Sequence, residues 1–418
     1  MTANTQPGTP SLLRAINDKA ALRVLLERGP LTRPELGALT GLSKPTASQL
    51  LMRLQQAGLV VLDGIREGLP GRTAELYRIN PSAAHIVALD VTPARIAATA
   101  ADITGATLGE FRLPTPGRAA GDVVERVRAA VGGACLQAGV DPAALHRVVI
   151  GIQGAVNPAT ARLGYAAHIP GWHVPDLVAT LRDGLGGVPV DVENDVNLVA
   201  LAEQAHGIAR GHADFVLLWA EDGIGAALVL GGRLHRGATG GAGEVGYMPT
   251  VGAPTTRETG KRGDHGFQAL AGGPAVLKVL RAHGLRGGGP AEAVREAVRE
   301  AGLGGVRAER ASEALREVAA RVAMGVAPIT AVVDPEIVVL TGGTLLAGGD
   351  LLARLVEKEL HALTIPRPPV RVSTVGGNPV LTGALGLALA TARDEVFSST
   401  VSPATPAHRP ASAAPPPS

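Results

Sequence analysis

The chain has 418 residues, enough for two or three domains with a sizeable core. Its residues are 46% hydrophobic but only 2% aromatic, so Ala, Val and Leu must fill that core, and 55 glycines predict many tight turns. A single cysteine, Cys135, excludes an internal disulfide framework and a cysteine-rich zinc site, whereas the net charge of +2 says little except through its distribution: residues 1–80 carry 10 Lys/Arg against 6 Asp/Glu, which leaves that end at +4 and the remainder at −2. A small basic end suits phosphates.

No basic n-region followed by an apolar h-region opens the chain, and no run of about 18 apolar residues suggests a membrane span. With the cysteine usage, this predicts a cytoplasmic protein without a membrane partner. Residues 1–10 are polar and contain Pro and Gly, and are expected to be disordered. Helix is predicted from about Ser11 to Arg28 on the apolar face Leu12, Leu13, Ile16, Leu22, Leu25 and Leu26, and Gly29-Pro30 ends it. Thr32-Arg33-Pro34-Glu35 reads as an N-cap, a first-turn proline and a capping-box glutamate. Ser43-Lys44-Pro45-Thr46 starts a third helix, which runs to Gln56 and stops at Gly58. The strand-like runs 59–62 and 74–79 then bracket a Gly/Pro loop. Three helices and a hairpin make a winged helix-turn-helix over residues 11–80.

From His85 on, strands and helices alternate. "HIVALDVTPARIAATAADITG" (85–105) reads as strand, turn, strand, and "FVLLWAEDGIGAALVLGGRLHRG" (215–237) repeats that arrangement roughly 130 residues later. Each is followed by helical material and another apolar strand, "RVVIGIQG" (147–154) and "EIVVLTGG" (336–343). The doubled unit predicts two similar α/β lobes facing a cleft. A Pro/Ala-rich end, 396–418, reads as a disordered tail.

In order along the chain, "GPLTRPELGALTGLSKPTASQLLMRLQQAGLV" (29–60), "GIQGAVNP" (151–158), "VENDVNLVALAE" (192–203), "GIGAALVLGGRLHRGATGGAGEVGYM" (223–248) and "VVLTGGTLLAGG" (338–349) together resemble the ROK family, which joins sugar kinases with transcriptional repressors. The resemblance implies an α/β fold with an N-terminal winged helix-turn-helix, followed by an actin-like (ASKHA), two-lobed ROK domain over 84–395. It also implies site residues. In the family's kinases an Asn-Asp pair after a strand binds a sugar hydroxyl and supplies the base; Asn194 and Asp195 match it. A Gly-Glu-x-Gly-His segment matches Gly243-Glu244-Val245-Gly246-Tyr247, which keeps the glutamate and replaces the histidine.

The family's zinc-binding cysteines fall by register on Thr259, Lys261 and Gly266, and its sugar-binding glutamate on Gln268, so the zinc is expected to be lost. Glu258, Asp264 and His265, or Glu203 with His206, offer at most fragments of a metal site, and no metal or other cofactor is expected. The effector set is therefore Asn194, Asp195, Glu244, Tyr247 and Gln268, which supply acceptors and an amide for a sugar or sugar-like ligand. Asn194 or Asp195 equally suits a helix cap.

Both phosphate turns depart from the kinase pattern. The first reads Asp90-Val91-Thr92-Pro93-Ala94-Arg95 where Gly-Gly-Thr is usual, and Pro93 removes an N–H donor. The second, Glu221-Asp222-Gly223-Ile224-Gly225, places two carboxylates where a polyphosphate would lie. The glycines of Thr341-Gly342-Gly343-Thr344 are explained by a strand-to-helix turn. These departures predict a degenerate, non-catalytic kinase domain.

In the winged helix, Ser43, Lys44, Thr46, Ser48 and Gln49 lie at or near the N-terminal end of the predicted recognition helix, with Leu50, Leu54 and Leu59 facing the core. Gln49 suits adenine and Lys44 phosphate or guanine, while Arg72, in the wing, suits a minor groove or phosphate. Ser43 is also a natural N-cap. The expected partners are a double-stranded DNA operator, a sugar-like effector and a second copy of the chain, since such modules commonly bind as dimers. The function expected from sequence is a sugar-controlled transcriptional repressor, and the rival reading is an ATP-dependent sugar kinase with an accessory DNA-binding domain.

Overall fold

The computed structural model describes residues 10–67, 73–115, 122–164, 169, 171–259 and 265–398. By contact the chain divides into two compact units. One holds the described residues up to His85, with Asp102–Ala106 and those from Leu389 on, and the other holds Ile86–Ala101 and Thr107–Ala388.

The first unit opens with α1 (Pro10–Arg28), β1 (Leu31–Thr32), α2 (Arg33–Thr40), α3 (Lys44–Gln56), β2 (Val60–Glu67) and β3 (Thr73–Ile79). Local chemistry sets the helix ends. Thr32 and Glu35 form the capping box of α2, and Gly41, at φ +70°, closes it with a left-handed turn. Ser43 caps α3. The strands form an antiparallel sheet in the order β1-β3-β2. Leu22, Leu25, Leu36, Leu50, Leu51, Leu54, Tyr77 and Ile79 make the core, and Arg53 pairs at 2.7 Å with buried Asp18, tying α3 to α1.

The second unit is built on β4 (His85–Val91), β5 (Arg95–Asp102), β6 (Thr107–Pro114), α4 (Val123–Ala138), β7 (Leu145–Ile152), the short pair β8 (Ala155–Val156) and β9 (Leu163–Gly164), α5 (Leu177–Gly184), β10 (Val190–Asn194) and α6 (Asp195–His206). It continues with β11 (Phe215–Ala220), β12 (Ile224–Leu230), β13 (Arg233–Leu234), α7 (Thr256–Thr259), α8 (Gly266–Ala271), α9 (Gly273–Ala282), α10 (Pro290–Ala301), α11 (Val306–Val333), β14 (Ile337–Thr341), α12 (Gly343–Leu346), α13 (Gly349–Leu363) and β15 (Val370–Val372). The two five-stranded sheets have the orders β10-β7-β4-β5-β6 and β13-β12-β11-β14-β15. Counted within each lobe both read 5-4-1-2-3 or its reverse, so the doubled pattern in the sequence is a doubled topology. Parallel pairs β10–β7, β11–β14 and β14–β15 adjoin antiparallel hairpins β5–β6 and β11–β12.

Small side chains let the helices pack closely, with Ala311, Ala314, Ala319 and Ala323 of α11 buried in the second lobe's core. No helix among the described residues is long and apolar enough to cross a membrane.

The last helix, α14 (Pro379–Ser398), belongs to the second unit at its start and to the first at its end. The expected tail from 396 thus begins with helix: Val396 and Phe397 are buried in the winged-helix core beside Ile103 and Ala84, because an apolar pair there finds a core to enter. The same unit is stitched by Arg393, which donates from Nε to the Ile103 carbonyl and from Nη2 to that of Thr104, each at 2.8 Å, and by the ion pair of Lys19 with Asp394. Residues 1–9 and 399–418 lie outside the described residues.

Candidate functional site

Strand β10 ends at Asn194 and α6 begins at Asp195, so the Asn-Asp pair stands at the carboxyl end of a parallel strand, where α/β folds place ligands. Asn194 is held at both ends of its amide. Its Oδ1 accepts from the Asn197 N–H at 3.0 Å, capping α6, and its Nδ2 donates to the Gly154 carbonyl at 3.1 Å. Capping and a site position therefore coincide in one residue. Asp195 Oδ1 accepts from the Val196 N–H at 2.9 Å, which fixes the carboxylate.

The surroundings of Asp195 disfavour its charge. Burial first, then the carboxylates of Asp90 and Glu221, push its pKa up to about 6, against the pull of backbone N–H groups. Glu244 is pushed up to about 7 by burial and by Asp195. The Asp195 carboxylate thus penalises the ionisation of Glu244, and the two lie close enough to interact. Glu221 is also raised, by burial and by Asp222. Two half-buried carboxyls that titrate near neutrality can accept or donate hydrogen bonds to hydroxyls, and Asp195 has the affinity of a general base.

The first phosphate turn is closed on itself. The N–H of Thr92 donates to the Arg95 carbonyl at 2.9 Å, and the Thr92 hydroxyl accepts from the Arg95 N–H at 3.1 Å. Asp90 is buried, takes Arg95 Nη1 at 3.1 Å and accepts from Asn378 Nδ2 at 2.8 Å.

Not every residue expected at the effector site converges there. Gln268 braces the second phosphate turn, accepting from the Ile224 N–H and donating to the Asp222 carbonyl, both at 2.9 Å. Both ends of its amide are thereby used on backbone. Tyr247 is exposed at 53%, with its ring 5.5 Å from that of buried His265. Lys261 and Asp264 lie outside the described residues, as does Arg72 of the wing.

On α3, Ser43, Lys44, Thr46 and Gln49 are exposed together while Ala47, Leu50, Leu51 and Leu54 are buried, which presents one polar face to the outside. Two of these groups also serve the helix itself. Ser43 Oγ takes the Thr46 N–H and lies 2.8 Å from its hydroxyl, and Ser48, half-buried, donates to the Lys44 carbonyl at 3.0 Å. Lys44 and Gln49 remain as the long side chains of that face.

Comparison with known proteins decides what this architecture is. The sequence model of the ROK family matches residues 86–391, nearly three-quarters of the chain. The chain belongs to the ROK family. A MarR family model matches residues 16–67, in the winged-helix unit. The xylose repressor of Bacillus subtilis is 24% identical over 275 residues, 65% of this chain and 69% of that one. A ROK family transcriptional regulator, described as a homolog of the E. coli MLC protein, superposes with a TM-score of 0.70 over 93% of this chain and 99% of its own; at 18% identity it shows the shared fold. A ROK family glucokinase from Streptomyces griseus, solved with glucose and AMPPNP, is 27% identical, with a TM-score of 0.54 over 72% of this chain and 98% of that one.

This last likeness corrects the expectation that the chain is not an enzyme. ROK membership spans regulators and sugar kinases, and a glucokinase solved with glucose and AMPPNP shares this unit's fold at 27% identity. The physical reason is that altered turn residues alone do not remove the Asn194–Asp195 pair, which still stands at the end of β10, with the Asp195 carboxyl raised by burial.

Sequence reasoning missed four groups that shape the site. Glu193, one residue before the pair, accepts from Asn194 N–H and Asn197 Nδ2 and pairs with Arg236; Asn378 reaches Asp90. Glu203, noted only as half of a metal site, is a fully buried structural acceptor. A glutamate inside an apolar strand-to-helix stretch was the available signal for Glu193, whereas nothing local pointed to Arg236 or Asn378.

Proposed function

We propose that this chain is a sugar-responsive, DNA-binding transcriptional regulator whose cleft binds sugar hydroxyls through Asn194, Asp195 and Glu244. The observation that carries the reading is one chain holding both the exposed polar face of α3 and an interacting pair of carboxyls, Asp195 and Glu244, at the end of β10. The likeness to a sugar-named repressor along the chain supports it. Lys44 and Gln49 would contact DNA, with a second copy of the chain occupying the other half-site. Sugar binding that shifts DNA affinity is a coupling free energy, typically about 1–3 kcal/mol.

A second reading, sugar kinase with an accessory DNA-binding unit, is favoured by the proton affinity of Asp195. In it, Asp195 takes the proton of a sugar hydroxyl while that oxygen bonds to the γ-phosphorus of ATP and ADP leaves. Two assays on the full chain separate the readings. Release of DNA from the upstream region of its own gene by members of a pentose and hexose panel supports the regulator. Sustained ADP formation with one of those sugars, lost in Asp195→Asn, establishes the kinase. DNA affinity that no sugar changes sinks the sugar-responsive reading.

A further inference from the structure

We propose that the Glu193–Arg236 ion pair is a positioning device that sets the spacing of the Asp195 and Glu244 carboxyls, and hence which pair of sugar hydroxyls the cleft accepts. This rests on the reading of those two carboxyls as the sugar site.

Glu193 is the last strand residue before Asn194 and Asp195, and its side chain is only 10% exposed. One oxygen, Oε1, is spent locally on the Asn194 N–H at 3.0 Å and Asn197 Nδ2 at 2.9 Å, which fixes the start of α6. The other, Oε2, takes Arg236 Nε at 2.6 Å. Glu193 belongs to the first lobe's sheet, whereas Arg236 follows β13 of the second. The pair therefore ties the strand that presents Asp195 to the opposite lobe.

Arg236 in turn governs Glu244. Its carbonyl accepts the Ala242 N–H at 3.2 Å, closing the 236–242 loop. The exit of that loop is fixed on β12: the Gly243 carbonyl accepts the Ala226 N–H at 2.8 Å, and Gly243, at φ +96°, sits where an added Cβ would lie 2.0 Å from the Ala226 carbonyl oxygen. Glu244 N–H then donates to Gly241 at 3.2 Å. At its middle the loop presses on the first lobe, since a Cβ on Gly240 would lie 2.8 Å from the Val156 carbonyl oxygen. A closed loop pinned to Glu193 at one end and carrying Glu244 at the other has little freedom to change the distance to Asp195.

Glu193 needs this cation. A carboxylate this buried costs several kcal/mol without a partner, so its charge holds Arg236 in place. The other carboxylates acting on Asp195 are Asp90 and Glu221, the latter with Asp222 beside it, and Arg95 is occupied by Asp90. None of them joins the strand to the loop.

The test uses the full chain and measures coupling without any ligand. Carboxyl-carbon NMR titration gives the Glu244 midpoint with and without Asp195→Asn, first in the parent and then in Arg236→Ala and Arg236→Lys. The proposal expects Asp195→Asn to lower the Glu244 midpoint in the parent, and expects that drop to shrink by at least half in Arg236→Ala, with partial recovery in Arg236→Lys. D-glucose and D-xylose serve as binding probes, and whichever binds the parent should bind Arg236→Ala about tenfold more weakly. An undiminished drop with unchanged probe affinity overturns the proposal. If neither probe binds the parent but the drop still shrinks, the positioning role stands and the sugar reading is what fails. Arg236 is half exposed, and the Lys variant guards against a folding defect in the Ala variant.

Discussion

Glu203 folds its carboxylate over the backbone of Gly207, so that a Cβ added at Gly207 would lie 2.0 Å from Oε2. The carboxylate is fully buried and fully used. Oε2 accepts the Ile208 N–H at 2.8 Å, and Oε1 accepts the N–H groups of Thr374 and Val375, each at 3.1 Å, together with the Ser373 hydroxyl. The end of α6 is thereby clamped to the segment that follows β15. Glu203→Ala orphans four donors and is expected to destabilise the second unit by about 3–5 kcal/mol. Gly207→Ala forces the carboxylate aside and should cost about 1–3 kcal/mol. Urea unfolding of the full chain checks both, and a Gly207→Ala midpoint equal to the parent's would remove the clamp from the account.

The raised proton affinity of Asp195 sets a pH dependence of stability. A carboxyl that titrates at about 6 in the fold, against an ordinary value of 3.8, holds its proton more tightly folded than unfolded. Its contribution is full below about 3.8 and is lost as pH rises through 6. Asp195→Asn, neutral at every pH, should flatten that part of the stability profile and raise the melting temperature at pH 8 above the parent's. An Asn variant less stable than the parent at pH 8 would contradict this.

Ionised Asp195 is also the form that accepts a hydroxyl proton. On the kinase reading, sugar-dependent ADP formation is therefore expected to rise along a limb centred near pH 6. A flat profile between pH 5 and pH 8 would place the base elsewhere.

The two long side chains on the polar face of α3 should behave differently on DNA. Lys44→Ala is expected to weaken binding about equally on all sequences and to lower the salt slope by about 1. Gln49→Ala should cost about 1–3 kcal/mol on the preferred site and relax its specificity. Mobility shifts at several salt concentrations, on specific and scrambled duplexes, distinguish the two. Identical effects from both substitutions would argue against base reading by Gln49.

Phe397 is 2% exposed within the winged-helix core although it stands more than 300 residues from that unit's other helices. Phe397→Ala should cost that unit about 3–5 kcal/mol and weaken DNA binding without touching a DNA-facing side chain. Proteolysis of the first unit under native conditions reads this directly, and parent-like resistance would show the burial to be incidental.

The features legible in the sequence were those that neighbouring residues encode. Helix caps at Thr32, Ser43 and Asn194, the apolar face of α3 and the twice-repeated strand pattern all depend on spacings of a few residues, and each forms as read. What the sequence could not decide were pairings across long separations: Glu193 with Arg236 at 43 residues, Gln268 with Ile224 at 44, Ser373 with Glu203 at 170 and Asn378 with Asp90 at 288. Gln268 shows why. Register placed it at a ligand position, and only folding revealed that its amide is consumed by a turn. Asp195 makes the same point in electrostatics, because its charge depends on Asp90, Glu221 and the atoms that exclude water around it. Local spacing fixes a residue's place on an element, but partners and desolvation are properties of the assembled fold.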